Sequence, residues 1–177
     1  MFEGERDFGL IKGKTMEKKQ KVFLITGFNN WGKSWFIQKM FKKQKFAKHI
    51  LHKMGKYSFC VESKSNDDLG EEGYKRFVRE RLKRLQSTPP YILTAFCPTQ
   101  EKWNNSINII DDIYRNADVF ILAIKYKWCL HAQLDIETLR GYYSELSNVE
   151  VIEIDSKIPE DKLEKIKEVI FSKINNS

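Results

Sequence analysis

Short runs of apolar residues recur along the chain, and between them lie longer stretches in which apolar and charged residues interleave. Lys21-Val-Phe-Leu-Ile-Thr26 is rich in β-branched and aromatic residues without polar alternation, which predicts a strand buried on both faces. Similar runs at 57–61, 91–96, 118–124 and 149–154 bring the predicted strands to five. Helical spacing of apolar positions fills the intervals, over about 33–53, 71–85, 100–116, 133–146 and 159–174. Pro89-Pro90 breaks the chain before the third strand, and Pro159 suits the first position of the last helix. Alternating strands and helices, with no internal repeat or linker, predict parallel βαβ units. The expected architecture is α/β: a three-layer α/β/α domain over 21–177 with a mostly parallel five-stranded sheet. Residues 1–20 are polar and unpatterned and read as a flexible lead-in, within which Met16 offers an alternative start.

Charge changes the picture more than composition does. The net charge of +7 favours anionic partners: nucleotides, phosphorylated metabolites or nucleic acid. Much of the excess lies at 18–21 and 39–56, the second read as the solvated face of an amphipathic helix carrying surface His49 and His52. Cys60, Cys97 and Cys129 are too far apart for a zinc pattern or a disulfide framework and read as ordinary thiols. No secretory leader or membrane-spanning run is present, so a cytoplasmic location is expected.

The chemistry is concentrated where the first strand meets the first helix. Gly27-Phe-Asn-Asn-Trp-Gly32-Lys33-Ser34 fits G-x-x-x-x-G-K-[ST] at every fixed position. Gly27 would let the chain turn off the strand, and Gly32 would let backbone approach a phosphate without a Cβ in the way. The loop amides would then form an anion nest at the positive end of the following helix. A strand before and a helix after supply the context the motif requires.

The chain therefore resembles the P-loop NTPase superfamily. That resemblance implies a P-loop NTPase fold and a Mg²⁺-nucleoside triphosphate ligand, ATP or GTP. It implies Lys33 on the β- and γ-phosphates and the Ser34 hydroxyl on Mg²⁺. Asn29, Asn30, Trp31 and Trp35 complete the nucleotide-contacting set, the two tryptophans being expected to pack on neighbouring loops rather than on a base.

The branch is less sharply drawn. The third and fourth strands end in Thr94-Ala-Phe-Cys-Pro98 and Ala123-Ile-Lys-Tyr-Lys127, without the acid that a hydrolytic motor places beside its attacking water. Asp67-Asp68-Leu69-Gly70 fits D-x-x-G, yet no Asn-Lys-x-Asp guanine motif follows. The size, the opening loop and the acids after the second strand resemble small-molecule and nucleotide kinases. Gly70-Glu71-Glu72-Gly73-Tyr74-Lys75 loosely resembles the Gly-Glu-x-x-Phe-Arg stretch of shikimate-kinase-like enzymes. That resemblance implies a phosphotransferase with a small-molecule acceptor, with Asp67 or Glu62 orienting the acceptor hydroxyl and Asp68 next in line. Residues 127–144 would form a short lid carrying one arginine, Arg140. The alternative is an ATP- or GTP-binding module that acts on a protein or nucleic-acid partner with slow intrinsic turnover, favoured by the missing acid, the basic surface and the sparse lid.

Overall fold

A computed structural model describes residues 18–85 and 87–176. The expected lead-in therefore falls almost wholly outside the described residues. Strand β1 (Lys21–Thr26) is buried at every position and occupies the middle of the sheet. It lies between β4 (Tyr91–Phe96) and β7 (Asp118–Ile124), parallel to both. Strand β3 (Tyr57–Glu62) extends the sheet beyond β4, and β8 (Val149–Ile154) extends it beyond β7, again in parallel. Each apolar side chain hidden in these strands contributes about 1.5–3 kcal/mol, so the runs that read as buried strands are also the main source of stability.

The sheet has six strands rather than five. The added member, β2 (His52–Met54), pairs antiparallel with β3 and forms one edge, giving the order β2-β3-β4-β1-β7-β8. It arises because helix α1 (Lys33–Phe41) stops early instead of running to 53. Lys42 adopts a left-handed conformation (φ 53°), and its amide bonds back to carbonyls of the last turn, which ends the helix. Phe46 is buried all the same, packing edge-on against Phe41 and His52 from the connecting loop, while Ile50 is exposed. His52 is thus buried in a strand and not on a helix surface.

Helix α2 (Asn66–Arg84) begins five residues before the predicted 71, its first turn set off by non-helical Gly70 (φ 70°). The predicted helix at 100–116 is instead a small antiparallel pair, β5 (Gln100–Glu101) and β6 (Asn104–Asn105), followed by α3 (Ser106–Ile113). Helices α4 (Ile136–Tyr143) and α5 (Pro159–Asn175) stand where the pattern placed them. Helices α1 and α5 touch each other, as do α2 and α3, and these pairs cover the sheet to complete three α/β/α layers. Among the described residues no helix is long and apolar enough to cross a membrane.

The register decides where a ligand can sit. Thr26 pairs with Phe96 on one side and Ala123 on the other, so the three central strands end level with one another. The chain leaves β1 toward β3 but leaves the neighbouring β4 in the opposite direction, toward β7, and in open α/β sheets the crevice beyond such a point is where ligands bind. The loop at 27–32 lies there.

Candidate functional site

The loop between β1 and α1 is shaped by two left-handed residues, Asn30 (φ 60°) and Gly32 (φ 83°). Gly32 is needed for its backbone conformation, which a side chain strains. Gly27 has a different reason from the turn expected of it. A Cβ there would come within 3.1 Å of the Trp31 Cβ, so glycine makes room for the tryptophan. Trp31 is buried and meets Phe28 edge-on at 5.7 Å, a contact within its own loop, whereas packing on a neighbouring loop was expected. Trp35 is 37% exposed, one turn into α1. The first amides of α1 have no intrahelical acceptor and face the crevice end of the helix, where the macrodipole is positive.

Lys33 is buried and closes the loop on itself. Its ammonium donates to the Gly27 and Phe28 carbonyls at 2.8 Å each, and lies 3.4 Å from the Asp67 carboxylate. The Ser34 hydroxyl donates to the Ser63 carbonyl at 2.7 Å, which leaves the lone pairs of its oxygen available to a cation. A cleft of about 220 Å³ is lined by residues 29–35 together with Asp67 and Asp68.

The three candidate acids separate cleanly in their surroundings. Asp68 caps α2: one of its oxygens accepts from the Ser65 amide at 3.0 Å and the Ser65 hydroxyl at 3.2 Å. Glu62 lies outside the lining of the cleft. It is buried and bound to Arg81 through both Nε and Nη2 at 2.8 Å, with its other oxygen on the Lys64 amide. Asp67 stands in the cleft, and its Oδ1 is buried without a hydrogen-bond partner. An unmet buried polar atom of this kind is uncommon; among the described residues Arg81 Nη1 is the other.

Asp67 is held in place by a residue the sequence reading missed. Asn66 is fully buried, and its carboxamide exchanges bonds with the backbone of Cys97 (Nδ2 to O, 3.0 Å; Oδ1 from N, 2.7 Å). It also donates to Thr99 Oγ1 and Asn104 Oδ1, fastening the start of α2 to the end of β4. No motif marks such an asparagine; its partners are 31 to 38 residues away in the chain. Cys97 itself is kept a thiol, since burial pushes its pKa up to about 12.

Arg140 does not join the cleft. It is partly exposed on α4 and pairs with Glu137 one turn back, so the arginine expected of a lid is turned to its own helix. The segment after β7 reaches the loop by another residue: the Trp128 indole donates to the Asn30 carbonyl at 2.9 Å. Trp128 joins Trp31, Gly32, Trp35, Phe36, Pro159, Glu160 and the buried Lys162 around a mainly apolar cleft of about 300 Å³. Lys75, in the stretch compared with Gly-Glu-x-x-Phe-Arg, is buried among Glu71, Glu72 and Asp112 and faces none of these clefts. Among the described residues no group of three His, Cys, Asp or Glu side chains is arranged to hold a metal ion unaided.

The sequence matches no protein-family model, and comparison with curated proteins finds no relative. Among solved structures, the shikimate kinase from Bacteroides thetaiotaomicron is similar over 89% of this chain and 99% of its own, at 10% identity and a TM-score of 0.42.

Proposed function

We propose that this chain binds a nucleoside triphosphate, ATP or GTP, in the loop from Gly27 to Ser34 and transfers the γ-phosphoryl group to a hydroxyl of a small acceptor. The observation that carries the reading is the position of Asp67: beside Lys33, in the wall of the cleft, with one carboxylate oxygen unpartnered. Loop amides and the helix dipole would hold the phosphates. Lys33 would exchange its carbonyl partners for β- and γ-phosphate oxygens and neutralise charge that spreads during transfer. The residues present fit Mg²⁺: Ser34 offers a free oxygen lone pair, and a bound ion would offset charge on the bridging phosphates.

Asp67 would accept a hydrogen bond from the acceptor hydroxyl through Oδ1 and orient it in line with the γ-phosphorus. As the new O–P bond forms, the bond to the β-phosphate oxygen breaks, the nucleoside diphosphate leaves, and the acceptor proton passes to the carboxylate. The apolar cleft around Trp31, Trp35 and Trp128 adjoins the phosphate loop, shares its residues and has the character a nucleobase needs.

The test pairs calorimetry with turnover. Wild-type protein should bind Mg-ATP or Mg-GTP and release diphosphate only when a hydroxylated acceptor from a mixed panel is present. Asp67→Asn should keep the triphosphate affinity and lose the transfer. No affinity for either triphosphate would sink the reading. A second reading, a partner-controlled NTPase, is favoured by the ends of β4 and β7 at Phe96 and Ile124, where no carboxylate follows. Acceptor-independent hydrolysis untouched by Asp67→Asn would select it.

A further inference from the structure

From Lys18 to Val61 the chain carries eleven lysines and neither aspartate nor glutamate, so more than the whole net charge of +7 originates in this segment. The fold does little to compensate it. Of the eight lysines between Lys33 and Lys56, only Lys33 and Lys48 meet a carboxylate, Asp67 and Glu80 respectively, among the described residues. Ion pairing is commoner after Val61, where eight of the seventeen basic side chains, Lys75, Arg81 and Lys125 among them, have acidic partners, against three of the eleven lysines in this segment once the Lys19–Asp118 pair is included. Uncompensated like charge on one surface repels itself and is relieved by a polyanion.

The charge also has a shape. Early termination of α1 at Lys42 folds the chain back and leaves a groove of about 480 Å³, lined by Trp35, Gln38, Lys39, Lys42, Lys43 and Gln44, with no acid among them. The Trp35 ring is 37% exposed at one end of the groove, with the Lys39 ammonium over it at 5.7 Å from the ring centre. Lys43 leans on the ring of His52, an uncharged acceptor that leaves its charge in place.

We propose that this groove binds single-stranded nucleic acid, with backbone phosphates on Lys39, Lys42 and Lys43 and a base stacked on Trp35. A concave, lysine-walled track with an aromatic platform at its end is the arrangement that single strands use. A duplex keeps its base faces stacked away from such a platform, and a polyanion such as polyglutamate has no flat ring to place there. The groove stands apart from the triphosphate reading, although Trp35 borders both clefts.

Fluorescence anisotropy with labelled dT20 tests it, using rU20, a 20-base-pair duplex and polyglutamate as competitors. The expected result is saturable binding of dT20 that weakens with salt, displaced by rU20 but only weakly by duplex or polyglutamate. K39Q/K42Q/K43Q should weaken it at least about tenfold and flatten the slope of log affinity against log salt by about 2, three contacts at about 0.7 each. Trp35→Ala should weaken it by about tenfold while leaving the slope unchanged. K165Q/K167Q/K173Q, which removes the same charge from α5, should bind like the wild type. The proposal is overturned by absence of dT20 binding at low salt, or by equal displacement with duplex or polyglutamate. It is equally overturned if the α5 variant loses as much as the groove variant, or if the groove variant melts and binds like the wild type. Calorimetry with Mg-ATP and Mg-GTP on the same wild-type preparation keeps the two proposals separate, since either can fail while the other stands.

Discussion

The Lys33 ammonium and the Asp67 carboxylate meet at 3.4 Å across 34 residues of sequence, joining the first helix of the fold to the start of the second. The same ammonium holds two loop carbonyls, so its loss leaves three groups without their donor. Lys33→Ala should abolish triphosphate binding in calorimetry and lower unfolding stability by about 1–3 kcal/mol. Adding Asp67→Asn should restore part of the stability, because the uncompensated charge is gone, yet restore none of the binding. Full recovery of binding in the double variant would refute the assignment of Lys33.

Trp128 clasps the loop through a single hydrogen bond from an otherwise exposed side chain. Trp128→Phe keeps the ring and removes the donor. Triphosphate affinity should fall about three- to tenfold, the value of one hydrogen bond of about 0.5–1.5 kcal/mol, with no change in melting temperature. An unchanged affinity would show that the clasp has no part in binding.

Glu62 and Arg81 form an ion pair whose side chains are 4% and 8% exposed. Removing one partner strands the other in a low-dielectric interior. Arg81→Met should cost about 3–5 kcal/mol in urea unfolding, and Glu62→Leu with Arg81→Met should recover most of it. Neither single variant is informative about chemistry until its fold has been checked by circular dichroism.

Gly32 and Gly27 should fail for different reasons. Gly32→Ala places a Cβ at φ 83° and should cost about 1–2 kcal/mol of stability along with binding. Gly27→Ala puts a methyl 3.1 Å from Trp31 Cβ, so the loop must shift. It should weaken triphosphate binding with a smaller change in the thermal melt than Gly32→Ala produces.

Burial holds the His52 pKa below its ordinary 6.5, helped by the nearby charges of Lys43 and Arg81 and opposed by the bond to the Ala47 carbonyl. The unfolded chain therefore takes up a proton near pH 6.5 that the folded chain refuses until lower pH. Stability should fall as pH drops below about 6.5 and be insensitive to this group above it. His52→Gln should flatten that part of the profile between pH 7 and 5, measured by urea unfolding across the range.

Much of the architecture was readable because it is written in short-range pattern. The five apolar runs became the five parallel strands, and the glycine-lysine-serine loop lies between β1 and α1 as its spacing required. Helix ends were read less well. The apolar spacing after Phe41 satisfies a longer helix, yet the left-handed turn at Lys42 buries Phe46 from a loop and frees β2 to pair. Periodicity reports which side chains need burial, and a loop can bury them as well as a helix.

The sequence alone determined the strand, the loop and the helix that build the cradle, since glycine's freedom at positive φ and a lysine one residue later act within eight residues. Tertiary structure decided which acid meets Lys33 in the cleft. As letters, Asp67 and Glu62 stand level with Asp68 next in line, but Arg81 takes Glu62, Ser65 takes Asp68, and Asn66 holds the start of α2, where Asp67 meets Lys33, against the end of β4. It likewise replaced Arg140 with Trp128 at the loop, a contact spanning 98 residues. A side chain's chemical role is set by its partners, and those partners are distant in the chain and neighbours only once the sheet has assembled.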